Sequence, residues 1–307
     1  MASSLIELKK RIASTKKTSQ ITNAMHLVSA SKLNRSEEKV KRYQLYASKI
    51  REMVTHIAGG QLSLLEESGH AVAQSQQVIN FHDLLIEREV KKTGYLIIST
   101  DQGLAGSYNS SIFKHARKMI LDDHELPKEY MVITIGETLA RDLEKSDIHV
   151  AHVVEDLKDQ PSFGDVRDIV TLLVDYYRDG EFDELYVCYT HHINAMSSEF
   201  RAEKMLPLSD LDTSETQEYE VEYLFEPTEE DILEVLLPQY AESLIYGAII
   251  DAKTSEHASR MLAMKSATDN AGDLIKRLSL QQNRMRQAAI TQELTEIVSG
   301  ASAQEEK

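Results

Sequence analysis

Tryptophan is absent from this 307-residue chain, and cysteine, proline and glycine are scarce, at 1, 5 and 12 residues. One cysteine, Cys188, excludes an internal disulfide and any metal site built on paired thiolates. It lies in the strand-like run ELYVCYT, where a small buried hydrophobe is the expected role. Long apolar runs are missing too. Stretches such as LYVCY and YLII fall far below the ~18 residues of a membrane span. Hydrophobic residues make up 42%, enough for a sizeable core, and the length suggests roughly two structural units.

The formal net charge of −16 argues against a general nucleic-acid binder. That charge is unevenly spread. Residues 1–60 hold 12 Lys and Arg against 4 acids, a surplus of +8, so the remainder carries −24. Such a segment either lies against an acidic surface or presents a solvated helix face, and composition leaves both open. The first 20 residues are Ser-rich and basic, as transit peptides are. Glu7 and the unbroken helical pattern behind it favour the start of a mature, unprocessed chain.

Residues 1–58 contain neither glycine nor proline, and Gly59-Gly60 then predicts a helix end. Leu33, Ser36, Val40, Tyr43, Ala47, Ile50, Val54 and Ile57 recur at steps of three and four, the a/d seam of a coiled coil. The seam lapses at STKKTSQ, Ser14 to Gln20. Towards the other terminus, Pro227-Thr228 followed by Glu229, Glu230 and Asp231 predicts a capped helix start. Pro238 predicts a kink or a restart, and no proline follows in residues 239–299. At ~1.5 Å per residue each helix would be about 85–90 Å long, twice the roughly 40 Å span of the domain between them. The two helices are therefore expected to pair antiparallel and protrude as a rod from a globular foot.

Between the helices the rhythm changes. GYLIIST (94–100), YMVITIG (130–136) and ELYVCYT (184–190) read as buried strands, with helices expected over 108–121, 137–146 and 164–179. This alternation predicts a Rossmann-like α/β layer with a mostly parallel sheet. YEVEYLFE (219–226) reads as a half-solvated edge strand, and residues 61–89 as a polar connector without a clear period. The expected division is an N-terminal coiled-coil helix over 1–58, a connector and central α/β domain over 59–227, and a C-terminal coiled-coil helix over 228–307 that pairs with 1–58.

Nothing in the pattern singles out a catalytic centre. STDQGLAGSYNS (99–110) sits between a strand and a helix, as phosphate-binding loops do. It offers only Gly103 and Gly106, without the lysine or third glycine such loops need, so a tight turn with close backbone packing is expected. His191-His192 lacks a carboxylate or cysteine at ligand spacing, and adjacent strand residues point opposite ways. The last helix poses a different question. Ile290, Leu294, Ile297 and Val298 form an apolar stripe with no later element to cover it, which implies a partner.

ITQELTEIVSGASA (290–303) resembles the C-terminal signature of the gamma subunit of F-type ATP synthases. The likeness extends through ASRMLAMKSATDNA (258–271), ITNAMHLVSASKL (21–33) and STDQGLAGSYN, from one end of the chain to the other. Bacterial members look closest, since the glycine-loop region lacks the cysteine-bearing insertion of chloroplast members. The resemblance implies a central rotor shaft that couples proton-driven rotation of the membrane c-ring to ATP synthesis and hydrolysis, without chemistry of its own and without a cofactor. It implies one copy per complex, partnered by alpha, beta and epsilon subunits and the c-ring, peripheral to the cytoplasmic face of a bacterial membrane.

By motif position, Met25, Lys32 and Arg35 on the first helix become expected contacts to the alpha–beta ring. Arg260, Gln287, Ile290, Thr291, Glu293, Leu294, Glu296 and Ile297 are their counterparts on the last helix. Glu220 and Glu222 are expected contacts to the c-ring or epsilon. His26 follows Met25 where many members carry a charged Lys or Glu, a departure from the family pattern that bears on the strength of the electrostatic contact there. Two other readings remain. An α/β nucleotide-binding enzyme with a coiled-coil dimerisation arm predicts a phosphate site at Gly103–Gly106, and a coiled-coil scaffold leaves the 258–303 pattern unexplained.

Overall fold

Alternate side chains of the first strand enter different layers, and this places the rest of the α/β domain. The computed structural model describes residues 2–67, 83–85, 87–208 and 228–305. Five strands form one sheet: β1 (Thr93–Ile98), β2 (Tyr130–Ile135), β3 (Val150–Val154), β4 (Glu184–Asn194) and β5 (Ser197–Leu206). Their order is β3-β2-β1-β4-β5, the first four mutually parallel and β5 antiparallel to β4. Tyr95 and Ile97 of β1 join a core with Ile112, Ala116 and Ile120 of α2 (Tyr108–Asp123) and Leu139 and Leu143 of α3 (Glu137–Glu144). Leu96 and Ile98 join a second core on the opposite face, with Ile169 and Leu173 of α4 (Phe163–Arg178). A sheet buried on both faces reads as the continuous apolar runs seen in the sequence.

That second core is completed from the two ends of the chain. Ile50, Val54 and Ile57 come from α1 (Ala2–Glu67), and Leu237, Ile245 and Ile249 from α5 (Glu229–Glu305). Tyr43 locks the two helices together. Its hydroxyl bonds the Ser243 carbonyl and lies 2.7 Å from Ser243 Oγ, and its ring meets Tyr246 edge-on at 5.0 Å. The predicted cap of α5 is present, with Asp231 N–H donating to Thr228 Oγ1 at 3.2 Å. Likewise Ser162 caps α4 reciprocally with Asp165, the hydroxyl accepting from Asp165 N–H at 3.2 Å.

Several expectations need correction. Gly59-Gly60 does not end the first helix, which runs through both glycines to Glu67 and takes in the first seven residues of the expected connector. Glycine weakens a helix by about 1 kcal/mol against alanine but keeps its N–H donor, so it need not stop one. Pro238 neither ends nor restarts α5, which is continuous through it. The expected edge strand over 219–226 lies outside the described residues. β3 and β5 were not expected from the sequence. The chain divides into two compact units, Ser31–Ser259 and the pairing of Met1–Ala30 with Arg260–Lys307.

Candidate functional site

The terminal unit is two antiparallel helix segments. Leu8 and Ile12 of α1 are buried against Leu278 of α5, flanked by Ile275 and Met285. Thr22 Oγ1 and Thr268 Oγ1 meet at 2.7 Å. The inward residues of α1 here are Leu8, Ile12, Thr15, Ser19 and Thr22, still at steps of four and three. The seam therefore does not lapse at Ser14–Gln20; it changes from large apolar to small polar side chains. Thr15 and Thr22 satisfy their hydroxyls locally, donating to the carbonyls of Arg11 and Ser19.

The Thr22–Thr268 contact sets where cover ends. Counting back from Thr22 and forward from Thr268 exhausts α1 opposite about Ala288. Beyond that point every described side chain of α5 from Ile290 to Ser299 is exposed. Ile290, Leu294, Ile297 and Val298 keep 49%, 57%, 67% and 63% of their surface open. Among their polar neighbours, Thr291 and Thr295 donate back to the carbonyls of Gln287 and Thr291, and Gln292 bonds Glu296. These polar groups bond within the helix, and the apolar stripe beside them is exposed.

The remaining expected contacts fall in both units. Met25 and Arg260 are half-buried in the terminal unit, while Gln287, Glu293 and Glu296 are exposed there. In the larger unit Arg35 is exposed, and Lys32 is engaged, its Nζ 2.6 Å from Asp159 Oδ2. Partial burial pushes the Asp159 carboxyl up. The Lys32 hydrogen bond and the charges of His257, Lys32 and Lys253 outweigh that, and hold it below the usual carboxylate range. Glu220 and Glu222 lie outside the described residues.

Among the described residues one group, Asp159, Glu256 and His257, brings three potential metal ligands within 4.8 Å of one another. Lys253 Nζ stands 3.2 Å from Glu256 with both side chains almost fully buried, and Lys32 already neutralises Asp159. A cation there would have to displace two ammonium groups, so the cluster is an ion-pair network joining α1, α5 and the loop before α4. The glycine loop is a turn built on Leu104 and Gly106, with φ of 63° and 62°. Gly103 is not required by close packing, since a Cβ there would meet nothing within 4 Å. His191 and His192 do have carboxylate partners, Asp251 and Glu37, which sequence spacing could not reveal.

No helix among the described residues is long and apolar enough to cross a membrane. The family model described as ATP synthase matches residues 4–304. The chain is 56% identical over 305 residues to the ATP synthase gamma chain of Enterococcus faecalis, covering 99% of this chain and 100% of that one. It is 54% identical over 308 residues to the gamma chain of Lacticaseibacillus paracasei, with the same coverage. Its fold is similar to a chain in the mitochondrial ATP synthase central stalk and c-ring of Tetrahymena thermophila. There the TM-score is 0.57 at 23% identity, over 80% of this chain and 99% of that one. A chain in the Euglena gracilis mitochondrial ATP synthase is similar at TM-score 0.55 and 15% identity, over 89% and 95%. The match runs through the paired helix ends and the α/β domain alike, and the chain belongs to the ATP synthase gamma chain family.

Proposed function

We propose that this chain is the central rotor shaft of an F-type ATP synthase, coupling proton-driven c-ring rotation to ATP synthesis and hydrolysis in an alpha–beta hexamer. The observation that carries the reading is the exposed apolar stripe of Ile290, Leu294 and Ile297 on a regular helix. Apolar contact is non-directional, so a sleeve of near-equivalent apolar groups would hold such an end without trapping it at one angle. An asymmetric shaft in a three-fold ring presents a different face to each catalytic site. Turning it permutes their affinities, and the coupling runs both ways. The chain itself performs no bond chemistry and holds no cofactor.

Met25, Lys32 and Arg35 on α1, and Arg260, Gln287, Ile290, Thr291, Glu293, Leu294, Glu296 and Ile297 on α5, are the proposed contacts to the ring. Glu220 and Glu222 are the proposed contacts to epsilon or the c-ring. Lys32 would exchange Asp159 for an acidic partner at little net cost, because both members of the pair are 43% exposed. The proposed division pairs 1–58 with 228–307 and keeps 59–227 as connector and α/β domain, the first helix continuing into that connector as far as Glu67. One copy acts per complex, peripheral to the cytoplasmic face of a bacterial membrane.

The test is reconstitution with alpha and beta subunits, followed by ATPase assay and single-particle imaging. Asymmetric density on the axis of an active hexamer is expected, and deleting residues 290–307 should weaken assembly or torque. A chain that stays out of the ring and binds nucleotide alone at Gly103–Gly106 would sink the reading.

A further inference from the structure

Two adjacent histidines near the end of β4 reach two different helices. Nδ1 of His191 lies 2.6 Å from Asp251 Oδ2 on α5, and the backbone N–H of His192 donates to Asp251 Oδ1 at 2.9 Å. The ring of His192 turns to α1, its Nε2 3.2 Å from Glu37 Oε1. A carboxylate only accepts, so the protons sit on Nδ1 of His191 and Nε2 of His192. Nδ1 of His192 is buried without a hydrogen-bond partner among the described residues. The side chains of His192 and Asp251 are only 12% and 18% exposed, so each bond has one partner largely shielded from water. Charges from β5 are occupied elsewhere. Glu199 pairs in register with His191, but Arg201 lies between Glu199 and Glu203 at 3.8 and 3.7 Å.

We propose that His191 and His192 are positioning residues that clip the end of β4 to α1 and α5 at one level, so that torque entering the α/β domain passes into both helices together. The proposal rests on the rotor reading above. Its physical ground is directionality. The apolar core holding α1 and α5 to the sheet resists separation but tolerates small rotations about a helix axis. A hydrogen bond is lost when its angle closes, so one bond to each helix fixes that rotation.

Two double substitutions test it. His191→Leu with His192→Leu keeps bulk and removes both ring donors, whereas His191→Asn with His192→Gln restores an N–H near each donor position. Hydrogen exchange on the full chain reads whether the clip exists. Amides of residues 190–194 should exchange about tenfold faster in the Leu pair and at the original rate in the Asn/Gln pair. Torsional stiffness of the assembled rotor, from angular fluctuations of a bead on the α/β domain, reads whether it carries torque. That stiffness should fall roughly twofold in the Leu pair and recover in the Asn/Gln pair, with ATP hydrolysis unchanged. Unchanged exchange, or failure of the Asn/Gln pair to rescue, overturns the clip. Faster exchange with unchanged stiffness overturns the torque role alone. An unsubstituted chain that does not enter the ring overturns the rotor reading, while the exchange result still decides the clip. Should the Leu pair fail to fold, Glu37→Ala removes only the α1 acceptor at a 38% exposed site, and the same criteria apply to it.

Discussion

Gly136 ends β2 with φ of 100°, and a Cβ there would stand 2.7 Å from Ser99 Oγ and 2.8 Å from the Thr100 carbonyl carbon. Its N–H also donates to Val154 O at 2.9 Å, which ties β2 to β3 at the point where α3 begins. Backbone strain and steric overlap act together on any side chain placed here. Gly136→Ala is therefore expected to destabilise the domain by about 2–4 kcal/mol. Urea unfolding followed by circular dichroism would show it as a lower midpoint with little change in slope, and an unmoved midpoint would refute it. The sequence draws attention to the wrong glycine. Gly103 sits in the motif-like loop yet has open space around it, whereas Gly136 looks like an ordinary strand end. Left-handed φ leaves no trace in a single sequence unless the turn type is already known.

At the scale of elements, β1, β2, β4 and α2 to α4 were legible because apolar runs alternate with glycine, proline and capping residues. β3 was missed because it is a short edge whose His152 and Ala151 are exposed. β5 was missed because SSEFRAEKML carries the charge that edge strands use against unwanted pairing. The small-polar stretch of the α1 seam was misread because a search for large apolar residues passes over Thr15, Ser19 and Thr22. Asp159 had no sequence signal at all, since Lys32 lies 127 residues away. Its depressed carboxyl contributes stability that is present above the unfolded value near 3.9 and is lost as pH falls through the lower folded value. Because the Lys32–Asp159 pair is 43% exposed, Asp159→Asn should cost about 1 kcal/mol or less at pH 7. The gap between wild type and variant in thermal melts should close below about pH 4. A gap of equal size at pH 3 and pH 7 would show that the pair's charge contributes nothing.

For the whole molecule the dominant property is charge asymmetry, −16 in total but +8 over residues 1–60. Lys9, Lys10, Arg11, Lys16 and Lys17 are all exposed on the first turns of α1. If this face meets acidic loops of a ring, association should slow as salt rises, since screening reaches about 10 Å at 0.1 M. Replacing Lys9, Lys10, Lys16 and Lys17 by Gln should slow binding to the alpha–beta ring at low salt and flatten its salt dependence. Stopped-flow mixing across ionic strengths would measure this, and parallel salt slopes for the two chains would refute it.

One face of the sheet has a further consequence, in the order of synthesis. Leu96, Ile98, Ile133 and Ile135 are covered in part by Leu237, Ile245 and Ile249, which leave the ribosome long after the strands do. At ~5–20 residues per second, that face waits several seconds with α1 and α4 but not yet α5 to cover it. The first and last helices close the domain between them, so a chain lacking α5 is expected to leave part of this core exposed. A premature stop before α5 is therefore expected to yield a chain that aggregates, where one stopped late in α5 stays folded.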